Sequence, residues 1–174
     1  MYRSGIWFDF PADGELLVSL KITSSFVPDV QFKITRMRDA AYRVYWRAEI
    51  SRETLEKVVD EMHDEYSRAA VVRLLKVYPD YFANTEPTVL VNSVLLDPIQ
   101  ATLVDDLLQN GLAQDVGRPS GLDGHSFELT LYRQEPEQFR CWCYLPAEWE
   151  KLKRLINMLV NDIAELDFVH YGAN

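Results

Sequence analysis

The chain has 174 residues and carries 27 acidic against 18 basic side chains, a net charge of −9. That length suits one domain, 1–174, with a core large enough to fold without disulfides or metal staples. The negative balance works against nucleic acid and anionic membrane, which are held by Lys and Arg, and favours cationic partners.

Residues 1–10 contain a short apolar patch, Ile6-Trp7-Phe8, ended by Asp9. It is too short for a secretion signal, and no run reaches the roughly 18 apolar residues of a membrane span. A cytoplasmic protein is expected. Residues 15–50 then alternate with period 2. Leu16, Val18, Leu20 and Ile22 form one row, Val30, Phe32 and Ile34 a second, and Tyr42, Val44, Trp46, Ala48 and Ile50 a third. This is the pattern of antiparallel strands with one buried face, broken by turn chemistry near Pro28 and at Arg38-Asp39.

Residues 52–77 predict a long helix with Ser51 as N-cap and Leu55, Val58, Val59, Met62 and Tyr66 on one stripe. Thr88 to Leu96 is a short apolar run, for which a short strand or an irregular segment is expected. Residues 98–110 predict a second helix. Asp97 is its cap, Pro98 is at the first position, Gly111 follows its end, and Ile99, Leu103, Leu107 and Leu108 form its stripe. Residues 113–123 read as loop. Residues 124–145 read as a hairpin, with Phe127, Leu129, Leu131, Phe139, Cys141 and Cys143 facing inward. Residues 146–166 form the clearest helix, with Trp149, Leu152, Leu155, Ile156, Leu159, Val160, Ile163 and Leu166 in an unbroken stripe. Strands followed by helices predict an α+β fold: an antiparallel sheet, meander plus C-terminal hairpin, with helices packed on one face.

Nucleotide-loop, nucleophile-elbow and zinc-protease motifs are all missing, so no catalytic residue is assigned. Cys141 and Cys143 are spaced C-x-C without a second pair. Buried free thiols are therefore expected, with no metal and no cofactor. A nucleophile couple of His125 with one of these thiols is disfavoured by their inward position. The carboxylates Glu53, Asp60, Glu61 and Asp64 cluster on the polar side of the predicted helix at 52–77. A solvated face explains them; as a site, they would focus a field on a basic partner. Tyr132, Trp142 and Tyr144 alternate away from the hairpin's apolar row, with Arg140 among them, and Arg43, Tyr45 and Arg47 do the same in the third strand. Periodicity does not say how many layers cover a sheet. This face is either a second packed layer or an aromatic binding surface.

The C-terminal third runs Asp123-Gly124-x-x-Phe127-x-Leu129, a turn, Cys141-Trp142-Cys143-Tyr144-x-Pro146-x-x-Trp149, and a helix to Leu166. This resembles the ending of small bacterial families similar to immunity proteins of polymorphic-toxin and contact-dependent inhibition systems. The resemblance implies a cytoplasmic, non-enzymatic inhibitor that binds a cognate toxin, and it places no particular residue in the interface. The expected partner is a protein, a basic toxin domain, with no nucleic acid and no membrane. Two other readings stay open. One is a small-molecule or enzymatic site on the aromatic hairpin face, with His125 converging on it. The other is a homodimer or structural subunit joined through the exposed aromatics.

Overall fold

Alternation along 15–50 becomes three antiparallel strands: β1 (Glu15–Ser24), β2 (Val30–Arg36) and β3 (Tyr42–Ile50). The structure is a computed structural model that describes residues 14–24, 29–50, 88–113, 125–142 and 145–166. The predicted helix at 52–77 lies outside these residues. So do Glu53, Asp60, Glu61, Asp64, Cys143 and Tyr144, and the predicted loop beyond Ala113.

The apolar run after residue 87 is a strand, β4 (Thr88–Leu95), paired with β3. The helix α1 (Pro98–Asn110) follows directly. A hairpin of β5 (His125–Leu131) and β6 (Glu137–Trp142) comes next. It adds to the meander on the far side of β1, so the six strands lie in the order β4-β3-β2-β1-β5-β6. Among the described residues, all pairings are antiparallel and the sheet is open, with β4 and β6 at its edges. The fold is α+β. Among the described residues, no helix is long and apolar enough to cross a membrane.

The core lies on one face. Leu20, Ile22, Phe32, Ile34, Val44, Phe127, Leu129 and Leu131 are fully or almost fully buried there. Each such side chain contributes roughly 1.5–3 kcal/mol of transfer free energy. The phase of β1 slips between Leu16 and Val18, where Leu17 is an extra residue. A bulge of one residue moves everything before it to the other face. Leu16 therefore sits opposite Thr35 rather than in the core row, and Leu17 is buried instead.

α1 starts as expected and packs differently. Asp97 accepts from the Gln100 N–H at 2.8 Å, and Gln100 Oε1 accepts from the Asp97 N–H at 3.0 Å, a reciprocal cap. Its end is set by Gly111, at φ 64, whose N–H donates to the Leu107 carbonyl at 2.8 Å. A β-carbon there would strike the Arg133 guanidinium, which pairs with Glu137 at 3.1 Å. The buried positions of α1 are Val104 and Leu107, and Ile99 is 84% exposed. Of the expected stripe, Leu107 is buried and Leu103 and Leu108 pack partly buried against the core, so only Ile99, in the first turn, departs from it, while Val104 joins the buried side.

The C-terminal helix is not uniform. A 3-10 turn (Ala147–Trp149) leads into α2 (Glu150–Asn157), which widens into a π-helical turn (Met158–Ile163). Trp149, Leu152, Leu155, Ile156, Leu159, Val160 and Leu166 are buried against the sheet, as expected from their spacing. Trp149 meets Phe139 edge-on at 5.8 Å, and its indole N–H donates to the Ala113 carbonyl at 2.9 Å. That ties the helix both to β6 and to the chain after α1.

Candidate protein-binding surface

Each strand has one row in the core and one row on the opposite face. On that second face the cross-strand register aligns Arg47, Gln31, Lys21, Glu128 and Arg140 in one line across β3, β2, β1, β5 and β6. The neighbouring line is Ser93, Tyr45, Lys33, Ser19, Thr130 and Gln138. Lys21, Lys33, Arg43, Arg47 and Arg140 thus share a face on which Glu128 is the one carboxylate among the paired strand positions 19–23, 31–35, 43–47, 126–130 and 138–142. An acidic chain has a locally cationic sheet face. The sequence held a partial signal for it: inside the three predicted rows, Lys21, Lys33, Arg43 and Arg47 are out of phase with the apolar residues, against the single carboxylate Glu49.

Cover on this face is uneven, which answers the question that alternation left open. Tyr45 is only 6% exposed, and Ser19 and Thr35 are equally buried. The centre of the face is shielded from solvent. At the β6 edge it is open: Trp142 is 39% exposed and the Arg140 side chain 72%. Arg140 Nε lies 3.9 Å from Glu128 Oε1, an exposed pair of small energetic weight. Tyr132 is half-buried just beyond β5, and its N–H donates to the Leu17 carbonyl at 2.8 Å. Of the aromatic triad expected here, the structure places Trp142 at the surface and Tyr132 partly beneath it.

His125 does not join them. It precedes Phe127 by two residues on β5 and so shares the core face, with its ring 6.2 Å from that of Phe127. Trp142 is opposite Ser126 and points the other way. Cys141 is on the core face, buried, with Sγ 3.8 Å from the Trp142 carbonyl. Among the described residues, no group of three or more His, Cys, Asp and Glu is arranged to hold a metal ion.

The other edge has a different character. β4 contains no charged residue, and Val91, Val94 and Leu95 are 49%, 44% and 53% exposed. β6, by contrast, includes Glu137 and Arg140 and follows Pro136. Charge and proline are the devices that keep edge strands from pairing.

No family model, no curated protein and no solved structure matches this chain.

Proposed function

We propose that this chain is a non-enzymatic protein-binding protein, an immunity-type inhibitor that captures and neutralises a cognate toxin in the cytoplasm of a bacterium. The observation that carries the reading is Trp142, a large aromatic left 39% exposed on an edge strand beside the exposed Arg140. Trp and Arg are among the residue types that carry most of the binding energy at protein interfaces.

Two electrostatic scales act together. The net charge of −9 favours the approach of a basic toxin domain at long range. At contact, the Arg140–Lys21 row asks for carboxylates around the cleft that receives the indole. Steering sets the on-rate and its salt dependence, and the desolvated anchor sets the off-rate.

The test is titration of the chain against the protein encoded immediately upstream, at low and high salt. The expected result is a tight complex that weakens as salt rises, and a loss of about thirtyfold in affinity for Trp142→Ala, the size of an interface hot spot. Absence of a complex at both salts, or wild-type affinity in both Trp142→Ala and Arg140→Ala, overturns the proposal.

A further inference from the structure

β4 is an uncharged strand at the open edge of the sheet, and its outward backbone groups can be assigned. The Leu96 N–H donates to the Tyr42 carbonyl at 2.9 Å, in the register that pairs Arg43 with Leu95. In an antiparallel ladder, residues that turn both backbone groups toward the partner alternate with residues that turn both away. Leu96, Val94 and Asn92 therefore face β3, and Leu95, Ser93 and Val91 face the open edge. The Ser93 N–H agrees with this assignment. It is taken up by the neighbouring Asn92 Oδ1 at 2.7 Å rather than by β3.

The sequence around Ser93, Leu90-Val91-Asn92-Ser93-Val94-Leu95-Leu96, is apolar on both sides at the positions two and three residues away. Reading outward from Ser93, the edge-facing positions two residues away on either side are Val91 and Leu95, both about half exposed. An antiparallel strand related by a two-fold axis at Ser93 brings Val91 opposite Leu95 twice and Ser93 opposite Ser93 once. All three are hydrogen-bonded pairs with outward groups on both strands. Apolar residues then meet apolar residues, and a small residue sits on the axis.

We infer that β4 pairs with β4 of a second copy of this chain across a two-fold axis at Ser93, joining the two sheets edge to edge. An isologous contact needs a surface complementary to itself, and this strand has one. The net charge of −9 opposes association of two copies in general, and the edge from 88 to 95 brings no charge to the contact. On pairing, the Ser93 N–H exchanges the Asn92 side chain for the Ser93 carbonyl of the second copy. This surface is separate from the Trp142 edge and does not depend on the inhibitor reading.

The experiment is sedimentation equilibrium of the full chain, with amide hydrogen exchange at high and low protein concentration. The expected mass is that of a dimer, with the amides of Val91, Ser93 and Leu95 protected at high concentration and released on dilution. Those of Asn92 and Val94 stay protected throughout. Ser93→Pro is expected to be monomeric with an unchanged circular dichroism spectrum, since the lost N–H is not used in the ladder and proline is tolerated with its nitrogen at an edge. Val91→Lys, at an exposed position, gives the same result by placing charge on the edge. Trp142→Ala remains dimeric. A chain that is monomeric at all soluble concentrations overturns the inference. So does a dimer that survives both Ser93→Pro and Val91→Lys, or one that dissociates in Trp142→Ala.

Discussion

The Tyr42 hydroxyl donates to Asp105 Oδ1 at 2.5 Å, which links the start of β3 to the middle of α1. The same oxygen accepts from Arg36 Nη2 at 3.3 Å, and Arg36 Nη1 donates to Glu15 Oε2 at 3.2 Å. One chain of polar contacts thus clamps β1, β2 and β3 to the helix, at the rim where the core meets water. The Arg36 guanidinium also lies over the Tyr42 ring, 5.6 Å from its centroid.

Tyr42→Phe removes a hydrogen bond to a charged acceptor and is expected to cost about 1–2 kcal/mol. Burial first, and then the bond to Asp105, hold the Tyr42 phenol above its ordinary value of 10.0, against the opposing pull of Arg36. A folded-state pKa above the unfolded one gives stability that is complete below the unfolded value. It is lost as pH rises through the folded one. Urea midpoints should therefore fall more steeply above about pH 10 for the wild type than for Tyr42→Phe. Equal midpoints at neutral pH would remove the clamp from the account.

Asp106, the next residue on α1, reaches α2. Lys151 Nζ lies 2.7 Å from Asp106 Oδ2, and Asn110 Nδ2 donates to the other oxygen at 2.6 Å. The Lys151 contact is the main reason the Asp106 carboxyl is held below its ordinary value of 3.8. A depressed carboxylate stabilises the fold above its unfolded value, and the contribution is lost as pH falls through the folded one. In Lys151→Met, the Asp106 carboxyl followed by NMR should titrate higher, closer to 3.8, with the Asn110 bond holding back the remainder. An unmoved titration would show that the Lys151 contact does not persist in solution.

The β2–β3 turn offers a stabilising change. Met37 N–H bonds to the Ala41 carbonyl at 2.8 Å and Ala40 N–H to the Met37 carbonyl at 3.0 Å, which leaves Ala40 at φ 65. A three-residue hairpin loop of this kind needs its last residue left-handed, a conformation that glycine adopts without steric cost. Ala40 is exposed, so nothing is lost from the core. Ala40→Gly is expected to add about 1 kcal/mol, or about 2–4 °C in melting temperature. A lower melting temperature would contradict the turn geometry.

Trp149 should separate packing from hydrogen bonding. Trp149→Phe keeps a ring near Phe139 and leaves the Ala113 carbonyl without its indole donor, a loss of about 1–2 kcal/mol. Trp149→Ala opens a cavity at the base of α2 and is expected to cost about 3–5 kcal/mol. Chemical denaturation checks the order, and equal costs would mean that the indole N–H dominates.

Several elements were legible because their cause is local. The rows Val18-Leu20-Ile22, Val30-Phe32-Ile34 and Phe127-Leu129-Leu131 alternate because a pleated strand turns successive side chains to opposite faces, and these rows are the buried ones. Asp97, Pro98 and Gly111 bracket α1 because orphan N–H and C=O groups at helix ends need those residue types. The candidate site was legible only in part. Alternation put Tyr45 and Trp142 on one face, yet one is buried at the centre and the other exposed at the edge. That difference depends on where β3 and β6 sit in the sheet.

By itself, the sequence determined the α+β class, the apolar rows of β2, β3, β5 and β6 and of β1 from Val18 onward, and the ends of α1, since each follows from backbone geometry over a few residues. Tertiary structure alone decided that β5 joins β1, that β4 and β6 become the edges, that Leu17 bulges, and that Ile99 faces water. Strand order and edge exposure come from pairings between segments distant in sequence, and no local periodicity encodes which partner a strand's outward hydrogen bonds will find.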